Sequence, residues 1–211
     1  MGHLMAKQGA EVVAWAYEPE VVEDINTRHE NRIFLPGVEL PPNYHATSSM
    51  KEAVTGRDLI LVVPPSHVLR RVMTEAAPFI PEGVPVVTAS KGIENDSLML
   101  MSDVLEEVFP ENLHAQLAFL SGPSFAKELA SGLPTAVSIA SKNLPLATQV
   151  QEMMANSYFR TYATDDVVGV ELGGALKNVM AIAAGACDGL GFGHNTLCAL
   201  ITRGLAEMNR L

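Results

Sequence analysis

Two lysines and three turn sequences carry most of the chemistry that this chain's residue types allow. Lys177 follows a glycine pair in Gly173-Gly174-Ala175-Leu176-Lys177-Asn178, within an otherwise apolar stretch of helical character. Two glycines inside a helix cost about 1 kcal/mol each against alanine, so they mark a place where a cofactor or another helix comes close. A lysine buried there is costly unless paired or used. A snorkelling lysine is the commoner case, but a polar pair directly behind a glycine pair favours a chemical role. Glu171 lies seven residues before Asn178 and shares its face, reading as a polar neighbour. The second lysine, Lys91, sits in Ser90-Lys91-Gly92, which follows an apolar run, as do Pro64-Pro65-Ser66-His67 and Ser121-Gly122-Pro123-Ser124. An ammonium group can hold an anion, polarise a carbonyl or donate a proton. Gly122 permits close backbone approach, and amides of a helix opened by Pro123 could hold an anion or a carbonyl oxygen. Each turn alone is more readily an ordinary strand-to-helix turn. Three together, with a lysine on the rim, point to a site. His67 and His194 read as surface or capping residues, and no His-Cys-Asp spacing suggests a metal.

The elements that must position these residues alternate. Strands are expected at 11–16, 58–63, 85–89, 116–120, 135–140 and 159–163. Helices are expected at 19–29, 66–79, 97–109, 123–130 and 144–155, with 30–44 a loop rich in proline. Such alternation predicts an α/β fold built on a parallel sheet, and the apolar runs 58–63 and 116–120 predict a sheet covered on both faces. In such sheets ligands bind at the carboxyl ends of the strands, where all three turns fall. After 163 no further strand is expected. A long helix from 164 to about 187, apolar around nearly its whole circumference and therefore expected to be buried, precedes a helix over 195–211. The chain thus divides into residues 1–163 and the start of an all-helical domain, 164–211.

Fourteen Lys and Arg against 24 Asp and Glu give a net charge of −10. That balance argues against nucleic acid as a partner and against electrostatic attachment to anionic membranes. The most apolar run, Val179 to Cys187, is shorter than the ~20 residues a bilayer needs. Two cysteines, Cys187 and Cys198, are too few for a disulfide framework.

Several segments together resemble the NAD(P)-dependent glycerol-3-phosphate dehydrogenases. The resemblance is carried by Leu120-Ser-Gly-Pro-Ser-Phe-Ala-Lys-Glu-Leu129, Gly132-Leu-Pro-Thr-Ala136, Val168-Gly-Val-Glu-Leu-Gly-Gly-Ala-Leu-Lys-Asn-Val179 and Ala199-Leu-Ile-Thr-Arg-Gly-Leu-Ala-Glu-Met208, with Phe34-Leu-Pro-Gly37, Val63-Pro64 and Ser90-Lys-Gly92 in support. It implies a Rossmann domain followed by a helical substrate domain. It also implies reversible hydride transfer between NAD(P)H and dihydroxyacetone phosphate to give sn-glycerol 3-phosphate, a link from glycolysis to glycerolipid and phospholipid synthesis. By the same resemblance Lys177 is catalytic; Lys91, Gly122, Ser124 and Asn178 meet substrate; and Tyr17, Lys91 and Ala126 meet the cofactor. Lys91 beside Lys177 would lower the donor's pKa by like-charge repulsion. Tyr17-Glu18 is followed by no cation suited to a 2′-phosphate, so NAD is the expected cofactor, with NADP the alternative.

The family's opening strand and Gly-x-Gly-x-x-Gly loop have no counterpart here, nor do its C-terminal Gly-Leu-Gly-Asp and Ser-Arg-Asn-Arg segments. The expectation is therefore a family member cut short at both ends and inactive by itself, with unpaired edges on the strands at 11–16 and 58–63. The whole protein is expected to be a cytoplasmic homodimer, or plastid-borne if a lost extension was a transit peptide. The competing readings are another Rossmann dehydrogenase of the hydroxyacid type, or a non-catalytic truncated relative.

Overall fold

A computed structural model of the chain describes residues 1–210. The first part runs α1 (Gly2–Lys7), β1 (Val12–Trp15), α2 (Pro19–Arg28), β2 (Glu30–Asn31), β3 (Leu35–Glu39), β4 (Tyr44–Thr47) and α3 (Met50–Val54). Then follow β5 (Ile60–Val62), α4 (Ser66–Ala76), β6 (Val86–Thr88), α5 (Met101–Val108), β7 (Leu117–Ser121) and α6 (Ala126–Ala130). The chain continues through β8 (Thr135–Ala140), α7 (Leu144–Met154), β9 (Phe159–Thr164), α8 (Val167–Gly189) and α9 (Gly193–Met208).

The main sheet has the order β5-β6-β7-β8-β9. Its residues alternate between two cores, as the apolar runs require. Val86, Leu117 and Phe119 face one core, with α4 and α5 residues such as Leu69 and Leu105. Val87, Ala118 and Leu120 face the other, with Val150 and Met154 of α7. β1 and β4 form a separate parallel pair, and among the described residues no ladder joins β1 to β5.

The sheet is mostly parallel, with one exception: β8 runs antiparallel to β7. The reason lies in the connection, whose helix α6 has only five residues. The rest of that connection is irregular, and the chain turns from the end of β7 directly into β8. Other expectations are also corrected. The stretch 30–44 contains the antiparallel pair β2–β3, since proline is tolerated in an edge strand. The helix expected from 97 begins at Met101. Asp96 and Leu98 take left-handed backbone, and Ile93 bridges Leu100. The helix expected from Pro123 begins at Ala126.

The largest correction concerns α8. Its 23 residues extend well beyond the Val179–Cys187 run, and by length and composition alone it is apolar enough to cross a membrane. It is not the buried helix expected from its apolar circumference. Its first half packs on β7 and β8 and it also meets α9, while Val179 and Ile182 are 64% and 74% exposed. Apolar residues surround this helix, but among the described residues its neighbours lie on one side.

Candidate active site

The carboxyl ends of β5, β6 and β7 lie side by side, and hydrogen bonds lock the turns after β5 and β6 together. Ala89 N–H donates to Val62 O at 2.8 Å, and the Ser90 hydroxyl donates to Pro64 O at 2.5 Å. Gly92 has φ +135°, and a Cβ there would stand 2.9 Å from Ser66 Oγ. A side chain is thus excluded by both conformation and space. The segment beyond is anchored by Arg70 of α4, whose Nε and Nη2 donate to the two oxygens of Glu94 at 3.0 and 2.8 Å. The Arg70 guanidinium, helped by the Ser97 hydroxyl, holds the Glu94 carboxyl down at about 2. Lys91 is therefore presented by a loop pinned at both ends.

Gly122 has φ +140°, and a Cβ would meet Val137 Cα at 2.9 Å. Only glycine lets the chain leave β7 so close to β8. The turn then carries Ser124, whose hydroxyl donates to Gly122 O at 3.3 Å and accepts from Lys91 Nζ at 3.5 Å. Lys177 reaches the same place from α8, its Nζ 5.8 Å from the centre of the Phe125 ring. Half-burial first, and the charge of Lys177 second, lower the pKa of Lys91. The like-charge effect expected from the sequence falls on Lys91.

The glycine pair on α8 divides. A Cβ at Gly174 would overlap Ser121 Oγ and lie 3.6 Å from Lys91 Cγ, whereas one at Gly173 would meet nothing. The close approach expected of both belongs to Gly174, and what approaches is the end of β7 with Lys91. Glu171, one turn before Gly174, lies on the same helix face as Asn178, but the two have different surroundings. Glu171 is buried and accepts from Ser102 N at 3.0 Å and Ser102 Oγ at 2.5 Å, while Asn178 is exposed. Burial above all, with the nearby carboxylates of Asp103 and Glu106, raises the Glu171 pKa despite those two bonds. A cavity of about 10 Å³, room for one water, lies between Glu171, Lys91 and Ser121.

The structure thus gathers Lys91, Gly122, Ser124 and Lys177. Ala126 stands next to Phe125 at the start of α6. Tyr17 lies apart, beyond the end of β1, 69% exposed. The sequence showed no cation following it, but α4 brings Arg71 over its ring, 5.9 Å from the centre. Sequence reasoning missed Phe125, Arg71 and the Arg70–Glu94 anchor, since nothing local pairs residues so far apart in the chain. Glu171 did leave a signal: a carboxylate one turn before Gly174 in an apolar helix needs a buried partner.

Known proteins resemble this chain along its length. The family model described as NAD-dependent glycerol-3-phosphate dehydrogenase N-terminus matches residues 1–147, and that described as its C-terminus matches residues 166–211. A glycerol-3-phosphate dehydrogenase named for NAD(P)+ from Geobacter metallireducens is 53% identical over all 211 residues. One from Myxococcus xanthus is 49% identical. The chain spans 63% of the length of each of these relatives. Among solved structures, glycerol-3-phosphate dehydrogenase from Coxiella burnetii is 36% identical and superposes with a TM-score of 0.86, covering 99% of this chain and 63% of that one. A D-mandelate dehydrogenase, at 15% identity and a TM-score of 0.58, shares the fold alone.

Proposed function

The chain belongs to the NAD-dependent glycerol-3-phosphate dehydrogenase family, and from that premise we propose that the protein carrying it reversibly reduces dihydroxyacetone phosphate to sn-glycerol 3-phosphate with NAD(P)H. The observation that carries the reading is the meeting of two ammonium groups, Lys91 and Lys177, beside the Gly122–Phe125 turn. In an acidic chain, this local pair of cations suits a phosphorylated ketone.

The residues present fit a nicotinamide cofactor. At the end of β1, Tyr17 offers an open aromatic face with Arg71 beside it. At the ends of β6 and β7, Gly92 and Gly122 keep the backbone free of side chains. Tyr17 would meet the adenosine end, and Lys91 and Ala126 the nicotinamide end. Bound there, the cofactor supplies the hydride. The chain's own part is to bind, polarise and protonate. Lys177 Nζ polarises the substrate carbonyl and gives the forming alkoxide its proton. Lys91, Gly122 and Ser124 hold the substrate against it, with Asn178 beside Lys177 as a further ligand. Glu18 would repel a 2′-phosphate, which favours NAD. Arg71 is the residue placed to meet a 2′-phosphate if NADP is used.

The test is dihydroxyacetone phosphate-dependent oxidation of NADH and of NADPH by the purified protein, with dihydroxyacetone and a panel of oxo acids as controls. Turnover is expected with the phosphorylated ketone and to be at least ~10-fold poorer without the phosphate, the scale of a lost charge-assisted contact. Oxidation with an oxo acid and none with dihydroxyacetone phosphate would refute the reading.

A further inference from the structure

We infer that Glu171 is a positioning residue: its carboxylate clamps α8 to the start of α5 through Ser102 and thereby sets Lys177 against Lys91. The inference rests on the function proposed above and goes beyond it to a residue that touches neither substrate nor cofactor.

Three groups lie along one stripe of α8 at helical spacing. Glu171, Gly174 and Lys177 succeed one another every three residues, so they descend one inclined ridge of the helix, each turned about 60° from the last, with Cα atoms of the outer two about 9 Å apart along the axis. The first is fixed by two hydrogen bonds to one residue of α5. The second presses on Ser121 and Lys91 with no side chain between. The third carries the ammonium. Contact at Gly174 alone is a single point about which a helix can roll. Two bonds one turn away remove that freedom, because a roll that carried Lys177 off Phe125 would break both.

Ser102 and Glu171 are 3% and 9% exposed, so water cannot replace the bonds cheaply. A carboxylate suits the task because it can accept from the amide and the hydroxyl together. The charged groups around it are Asp103 and Glu106 on α5, and among the described residues it forms no ion pair. Lys91 faces the charge of Lys177 from α8 and the neutral hydroxyl of Ser124.

The test compares Glu171→Ala with Glu171→Gln in the intact protein. Both lose the charge, but only glutamine keeps an acceptor for the Ser102 amide, so the difference between them reads geometry. Three quantities are followed: the Lys91 ammonium titration by lysine NMR, exchange protection of the Ser102 amide, and kcat and KM for dihydroxyacetone phosphate. In Glu171→Ala, kcat is expected to fall ten- to ~100-fold, the scale of a catalytic group misplaced by about 1 Å. The Lys91 midpoint should rise relative to Glu171→Gln as the Lys177 charge moves away. Glu171→Gln should keep kcat within about threefold of the parent, since the amide hydrogen bond survives. A merely structural role would lower the melting temperature of Glu171→Ala but leave kcat and the Lys91 midpoint equal in the two variants, which overturns the inference. If Glu171→Ala does not fold, Glu171→Asp decides, because it keeps the charge but withdraws the carboxylate from Ser102 by one methylene: a raised Lys91 midpoint supports the clamp and an unmoved one overturns it. Titration and exchange need no substrate. A protein inactive on dihydroxyacetone phosphate would therefore refute the proposed reaction while leaving the clamp measurable.

Discussion

Replacing each glycine of the α8 pair by alanine separates close approach from helix propensity. At Gly173 a Cβ meets nothing within 4 Å, so Gly173→Ala gains the ~1 kcal/mol by which alanine is the better helix former. For a chain of this size that raises the melting temperature by about 2–4 °C. At Gly174 the same gain is opposed. The new Cβ overlaps Ser121 Oγ and lies 3.5 Å from Ser121 Cβ, so either the serine leaves its rotamer or α8 lifts from β7. Overfilling a packed contact costs ~1–3 kcal/mol. Gly174→Ala should therefore melt at or below the parent, separated from Gly173→Ala by roughly 1–3 kcal/mol. Thermal unfolding followed by circular dichroism measures both. If Gly174→Ala stabilised the protein as much as Gly173→Ala, α8 would not rest on β7 at that residue, and the placement of Lys177 would lose its basis.

Two further predictions follow from the pinned loop. Lys91→Ala should lower kcat/KM for dihydroxyacetone phosphate by about 10- to 150-fold, the equivalent of a lost charge-assisted hydrogen bond of ~1.5–3 kcal/mol, mostly through KM; unchanged constants would leave Lys91 a solvated loop residue. Glu94→Gln should change the acid limb of stability. Glu94 titrates at about 2 in the folded chain, below its ordinary 4.5, so its stabilisation is complete above 4.5 and is lost as pH falls toward 2. The stability difference between parent and variant, measured by urea unfolding across that range, should shrink with falling pH, and a constant difference would remove the Arg70–Glu94 pair as its source.

The sequence made the elements legible where one residue period dominates. The run at 116–120 alternates between two cores and reads as a doubly covered strand, which β7 is. The turns at 90–92 and 121–124 could be placed at strand ends, so Lys91, Gly122 and Ser124 were within reach. The direction of β8 was not, because an apolar strand's own pattern reads the same whether it pairs parallel or antiparallel. The start of α5 was hidden for a similar reason: Leu98 fits an apolar helical spacing but takes φ +58°, held by the Ile93–Leu100 bridge. Within the site, Lys177 stood out because it interrupts an apolar helix. Glu171 interrupts the same helix, but its partner Ser102 lies 69 residues away, beyond any local pattern.

The central claim is that Lys177 delivers the proton at a site it shares with Lys91. It is tested most directly by single-turnover reduction of dihydroxyacetone phosphate by the parent and by Lys177→Met, with coenzyme affinity measured on the same samples. The chemical step is expected to slow by at least ~100-fold, the scale of general acid catalysis, with coenzyme affinity unchanged. A Lys177→Met protein that reduces the ketone within about threefold of the parent rate would contradict it, because no general acid of that consequence could then reside at Lys177.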